Sequence, residues 1–142
     1  MIRYISEYLF GDLIKDNRFY YLSLIKETDD CYSIHGLWPQ FSKKSYPTYC
    51  REVNFSLEKL KPIMKELNQY WFSTEEKNAD FWKHEYKKHG SCMFSSMTEI
   101  QYFSKTIDLY KKAIELGLPS KYENEKTNKC LIPVTLNFEF KD

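Results

Sequence analysis

Phe19-Tyr20-Tyr21-Leu22-Ser23-Leu24-Ile25 is almost wholly aromatic or aliphatic, and it reads as a buried β-strand. Ile34 to Pro39 reads as a second short strand that runs into a turn at Pro39. Near the far end, Val134-Thr135-Leu136-Asn137-Phe138-Glu139-Phe140 alternates apolar with polar, the pattern of a strand with one wet face. Helical stretches separate the early strands from the late one. No strand–helix–strand rhythm recurs, so an antiparallel sheet packed with helices is expected, an α+β fold.

Three segments have helical spacing. Leu57–Trp71 carries Leu57, Leu60, Ile63, Met64, Leu67 and Trp71 on a helical period, with Ser56 as N-cap. Pro62 removes a backbone donor there and is expected to split or bend that helix. Asn78 to His89 is the second, with Gly90 at the C′ position. Thr98 to Leu116 is the third: Thr98 caps it, Ile100, Phe103, Ile107, Tyr110 and Ile114 line one face, and Gly117 and Pro119 end it. Tyr122–Lys129 is polar and aperiodic, the most loop-like stretch. With no repeat and no linker, one domain is expected over residues 1–142.

The chain has 142 residues, enough to bury roughly two-thirds of its unfolded surface. At 42% hydrophobic and 18% aromatic it is too apolar for a disordered chain. It has 4 Gly and 5 Pro, too few for a collagen-like polymer. No apolar run approaches the roughly 18 residues of a membrane span, so no membrane partner is expected. The net charge of +1, from 21 basic and 20 acidic residues, excludes a polycation that coats nucleic acid by bulk charge. A focused basic site is compatible with it.

Cys31, Cys50, Cys92 and Cys130 are widely spaced, with no C-x-x-C pair, which argues against a thiolate zinc site or a thioredoxin-like motif. Four cysteines suit two disulfides in an oxidising compartment; four buried free thiols in a reducing one are the alternative. Met1 to Ile14 carries Arg3, Glu7 and Asp12 without an apolar core of about 7–15 residues, so it does not read as a signal peptide.

The three histidines, His35, His84 and His89, fall in two short segments: Ile34-His35-Gly36-Leu37-Trp38-Pro39 and Phe81-Trp82-Lys83-His84-Glu85-Tyr86-Lys87-Lys88-His89-Gly90. Residues four apart share a helix face, so Glu85 lies under His89 and His84 under Lys88. The first pair suits proton transfer, the second an anion such as phosphate. His84 and His89 are five apart, about 140° around the helix, and do not converge on zinc as H-E-x-x-H does. A solvated Lys/Glu/His face is the plain alternative. Against it, Phe81, Trp82 and Tyr86 tie the helix to a core, whereas His35 alone could be a hydrogen-bonded core residue.

These two segments resemble the two signature motifs of the ribonuclease T2 family, acid-type endoribonucleases, and they occur in the family's order. The second match continues through Ser91-Cys92. Weaker similarity covers Phe19–Leu24, Ser45-Tyr46-Pro47 through Cys50, the helix ending at Tyr70-Trp71 and the Tyr102-Phe103 helix. Residues 19–116 resemble the family well and the tail poorly.

The resemblance implies an α+β fold and metal-free cleavage of single-stranded RNA without a cofactor. The ribose 2′-hydroxyl attacks phosphorus, giving a 2′,3′-cyclic phosphate and a 5′-hydroxyl. It makes His89 the general base, His35 the general acid, Glu85 and Lys88 stabilisers of the phosphorane, and His84 a phosphate ligand. Trp38 and Tyr46 match the principal base pocket and Phe81 an aromatic of the second subsite. Gln40 stands where many members have Asp, Ile25-Lys26-Glu27 where the first strand often ends Gln-Trp-Pro, and Tyr86 where Trp is usual. The segment after Gly117 is shorter than usual, and the final strand has Phe140 near the usual cysteine. In the family, the positions of Cys50 and Cys92 are bridged; Cys31 and Cys130 are left as a second bond or as free thiols. A monomer in a secreted, endomembrane or vacuolar compartment is expected, with the cytoplasm as the alternative. The rival classes are a T2-like protein that binds RNA or a partner without turnover, and a structural disulfide domain.

Overall fold

A computed structural model describes residues 16–141. Met1–Ile14, read above as carrying no signal peptide, lies outside the described residues. Two long strands, β1 (Phe19–Thr28) and β2 (Cys31–Gln40), form a hairpin around Asp29-Asp30. The chain then runs through a 3-10 helix (Leu57–Ile63), α1 (Met64–Tyr70), α2 (Asn78–Lys88), a 3-10 turn (Gly90–Cys92), α3 (Glu99–Glu115) and α4 (Leu118–Lys121). It returns as β3 (Glu123–Asn124) and β4 (Lys129–Val134). The sheet order is β2-β1-β4-β3, antiparallel throughout, so the fold is α+β as expected.

Alternation explains the sheet's two faces. Tyr20, Leu22 and Leu24 of β1, Ile34 and Leu37 of β2, and Cys130, Ile132 and Val134 of β4 are all fully buried on one face. They pack with Leu67, Trp71, Tyr102, Phe103, Ile107 and Ala113 in one apolar cluster. The opposite face carries Tyr21, Ile25, His35, Trp38, Lys129 and Leu131, which line a cavity.

Several expectations are corrected. The last strand is Lys129–Val134, not Val134–Phe140. After Val134 the chain turns: Phe138 donates its N–H to Thr135 O at 2.9 Å and takes φ 62°, and only Phe140 returns to bridge Val134. The alternating Leu136, Phe138 and Phe140 still pack on the core, and Phe138 stacks on Tyr20 at 5.2 Å. Pro133 is tolerated because its carbonyl, which points the same way as its nitrogen, accepts Lys141 N on the edge that β3 does not cover. The loop-like Tyr122–Lys129 contains the short β3. Ser56 caps nothing with its side chain; its backbone N–H donates to Glu99 Oε1 at 2.8 Å. Pro62 lies in the 3-10 helix, and the α-helical turn begins only at Met64.

Gly90 opens a 3-10 turn instead of taking a left-handed C′ conformation. Its smallness matters for another reason: a Cβ there would lie 2.6 Å from the Tyr86 ring. α3 follows the reading at its ends, with a Thr98/Gln101 capping box and Gly117 at φ 67°. Ile114 is exposed, and Ala113 takes the buried position.

Candidate active site

β2 delivers His35 through an irregularity. Leu24 pairs with Ile34 and Ser23 with Gly36, so His35 is an extra, unpaired residue in the strand. Such a bulge bends the strand and re-aims a side chain. Here it lets Ile34 and Leu37 both face the core while His35 faces the cavity. Trp71 donates its indole N–H to the His35 carbonyl at 3.1 Å. Trp82 of α2 donates to the Trp71 carbonyl at 2.5 Å. Two indoles thus tie the bulge to the helix that carries the other site residues.

α2 buries Trp82 and Tyr86 in the core and turns Phe81, His84, Glu85 and Lys88 to the cavity, with His89 at its C-cap. Glu85 Oε2 lies 3.8 Å from His35 Nε2, and Glu85 Oε1 accepts the Trp38 indole N–H at 2.9 Å. The Trp38 ring stacks on His89 at 5.0 Å and meets the edge of His35 at 5.0 Å. It therefore stands between the two imidazoles. Gly36 makes the approach possible, because a Cβ there would collide with Glu85 Oε1 and lie 2.6 Å from the Trp38 nitrogen.

Burial dominates the electrostatics. It pushes His35 down to about 4 and His89 to about 3, helped by the Lys88 ammonium on both and by Lys129 on His35. Burial pushes Glu85 up to about 7, against the Trp38 hydrogen bond and Lys88, which favour its charged form. Near neutral pH the site thus holds two neutral imidazoles beside a carboxyl that is readily protonated.

A loop from Phe41 to Arg51 closes one side. Gln40 donates to Ser42 O at 2.9 Å, bracing the start of the loop that carries Tyr46 to the cavity rim. Tyr49 N–H donates to Lys88 O, Cys50 N–H to Ser91 Oγ, and Cys50 is joined to Cys92. The loop is thereby fixed to the end of α2. Cys31 and Cys130 are free thiols. They sit on β2 and β4, on opposite sides of β1, opposite Thr28 and Leu24 respectively, so two strand spacings alone put roughly 10 Å between them before the four-residue offset along β1 is added. That exceeds the reach of a disulfide, so the second bond is ruled out.

His35, Trp38, Gln40, Tyr46, Phe81, His84, Glu85, Lys88 and His89 all line this cavity of about 660 Å³. Phe81 is buried with its ring 5.7 Å from His35, and Tyr46 is half-exposed at the rim. Among the described residues, no three His, Cys, Asp or Glu side chains are grouped to hold a metal ion.

The sequence pattern of the Ribonuclease T2 family matches residues 15–123. The chain belongs to the ribonuclease T2 family. Ribonuclease DdI of Dictyostelium discoideum is 37% identical over 98 residues, covering 68% of this chain and 43% of that protein. Ribonuclease T2 of Sus scrofa is 35% identical over 101 residues, covering 64% and 46%. The chain thus spans less than half the length of these T2 relatives. Ribonuclease MC1 from the seeds of bitter gourd shares the fold, with a TM-score of 0.67 at 19% identity over 87% of this chain and 92% of that one.

Lys43, Lys129, Tyr21 and Leu131 also line the cavity beside Ile25, and the sequence reading did not single those four out. Those on the sheet reach the cavity through strand pairing, which brings Lys129 beside Ile25. Only correct placement of β4 could have found Lys129.

Proposed function

We propose that this chain is a metal-independent endoribonuclease that cleaves single-stranded RNA by transesterification. The observation that carries the reading is the convergence of His35, Glu85 and His89 around one indole, with Lys88 and His84 on the same cavity wall. His89 takes the proton of a ribose 2′-hydroxyl as that oxygen forms its bond to phosphorus. The bond from phosphorus to the 5′-oxygen breaks, and His35 gives that oxygen a proton. The products are a 2′,3′-cyclic phosphate and a 5′-hydroxyl. Two such proton transfers contribute about 10²–10⁴-fold each.

Lys88 and Glu85 face the non-bridging oxygens, where charge builds up in the transition state. Lys88 supplies a cation; Glu85, when protonated, supplies a donor. His84 holds the phosphate from the exposed end of the wall. Tyr46 and the outer edge of Trp38 offer aromatic surface to a base, and Phe81 backs the leaving side. Crystal structures of ribonuclease MC1 mutants have been obtained with 5′-GMP and 5′-UMP, and we infer the same class of ligand for this cavity. The Cys50–Cys92 bond supports an oxidising compartment.

The test is cleavage of a fluorogenic RNA in EDTA at acid to neutral pH, with wild type and His35→Ala. Cleavage by the first and not the second is expected. Binding of RNA by wild type without turnover would contradict the reading.

A further inference from the structure

The site residues of α2 and β2 occupy one end of the cavity. The other end is the open face of the sheet. There Tyr21 and Ile25 of β1 and Lys129 and Leu131 of β4 form a continuous floor, and Leu131 is 38% exposed. Ile25 pairs with Lys129, and both point to this face. The Lys129 ammonium makes no ion pair or hydrogen bond among the described residues. Its charge is nevertheless felt at both His35 and Glu85, so the ammonium lies within electrostatic reach of the reacting groups. Lys129 and Leu131 lie beyond residues 15–123, the part matched by the family pattern.

We propose that Lys129 binds the phosphate on the 3′ side of the leaving nucleotide, so that the site accommodates an RNA strand running across the open face of the sheet. The proposal rests on the endoribonuclease reading. If His35 protonates the leaving 5′-oxygen, the leaving nucleoside lies on the His35 side. That side continues over β1 to β4, with Ile25 and Leu131 as an apolar floor for the nucleoside. The strands of His35 and Lys129 are two strand spacings apart, roughly 10 Å, a gap that one nucleotide bridges. At the end of that gap the chain places a cation.

Acidic groups share the cavity. Glu27 accepts the Ser33 hydroxyl at 2.8 Å, and Glu75 and Glu76 lie on the segment that joins α1 to α2. Glu27 follows Ile25 on the same face of β1, turned towards Ser33 of β2, and Lys43 lies on the Phe41–Arg51 loop, so Lys129 is the lysine of the β1–β4 floor.

The experiment compares kcat/KM at one bond in three substrates: a ribodinucleotide, a trinucleotide extended on the 3′ side, and that trinucleotide with a neutral methylphosphonate in the second linkage. A 2′-deoxyribose in the second nucleotide confines cleavage to the first bond. Wild type should prefer the charged trinucleotide over the dinucleotide by about tenfold, the scale of one charge-assisted hydrogen bond. The methylphosphonate should lose that preference. Lys129→Gln should bring the trinucleotide-to-dinucleotide ratio near one, and Lys129→Arg should restore it. A ratio near one in wild type, or a preference that survives in Lys129→Gln, overturns the proposal. Binding of an all-2′-deoxy trinucleotide, with and without the methylphosphonate, gives a second readout independent of turnover. If no substrate is cleaved, the endoribonuclease reading fails. Lys129 is then judged by whether phosphate-dependent affinity disappears in Lys129→Gln.

Discussion

The Trp38 indole N–H donates to Glu85 Oε1 at 2.9 Å, joining β2 to the middle of α2. One hydrogen bond thus connects the two sequence motifs, and the same ring contacts both imidazoles. The sequence reading gave Trp38 to base stacking. Its geometry adds a positioning role, because the stack on His89 and the bond to Glu85 already occupy much of the indole.

Trp38→Phe keeps an aromatic ring and removes the donor. A hydrogen bond to a charged or partly charged group is worth about 1.5–3 kcal/mol. kcat should fall by about tenfold or more, with KM changing less. Steady-state kinetics on a dinucleotide check this. A rise in KM with normal kcat would return Trp38 to base binding alone.

Glu85→Gln should separate stability from turnover. Folding raises the Glu85 pKa from 4.5 to about 7, so its contribution to stability is fully present below about 4.5 and is lost as pH rises through about 7. At pH 8 the fold holds a buried carboxylate, at a cost on the order of 3 kcal/mol. Glutamine keeps an oxygen for Trp38 without the charge. The variant should melt above wild type near pH 8 and lose that advantage in acid, while kcat falls. Thermal melts across pH check it. Equal melting shifts at every pH would show that the carboxyl does not titrate in the fold.

The rate should be greatest on the acid side. The base must be neutral and the acid charged, and kcat/KM reports the free site. Burial first, and then neighbouring cations, push His89 to about 3 and His35 to about 4. The alkaline limb of kcat/KM should therefore begin below the ordinary imidazole value of 6.5. A bound phosphodiester raises both values, so the kcat profile should lie at higher pH than that of kcat/KM. The same histidines contribute fully to stability above about 6.5, and that contribution is lost as pH falls toward about 4 and 3. Profiles of both constants check this, and a kcat/KM optimum above neutrality contradicts it.

The sequence disclosed the parts of this protein that depend on local pattern. Phe19–Ile25, the α2 stripe and the caps of α3 were readable because alternation, helical spacing and Thr98/Gly117 chemistry act over a few residues. Val134–Phe140 misled because its alternation serves a turn whose side chains also alternate onto the core. The true β4 was hidden by Pro133 and by a polar lead-in. With β4 misplaced, Lys129 could not be assigned to the cavity. The His35 bulge was equally invisible, because it exists only in the register between β1 and β2.

Breaking the Cys50–Cys92 bond should cost both stability and turnover. The bond spans 42 residues of chain, worth about 4 kcal/mol in the chain-entropy description. It also holds the Tyr46 loop against the end of α2, where Tyr49 bonds to Lys88 O. Cys50→Ser/Cys92→Ser should melt well below wild type and show raised KM at a temperature where it is folded. Unchanged KM would mean the loop is held by its hydrogen bonds alone.

The most direct measurement is the chemical identity of the product. A ribodinucleotide is incubated in EDTA with wild type, His35→Ala and His89→Ala, each shown by circular dichroism to be folded, and the ends are read by mass spectrometry. A 2′,3′-cyclic phosphate and a 5′-hydroxyl from wild type, and almost no product from either variant, are predicted. Ends bearing only 5′-phosphate, or near-normal turnover in both variants, would contradict the account.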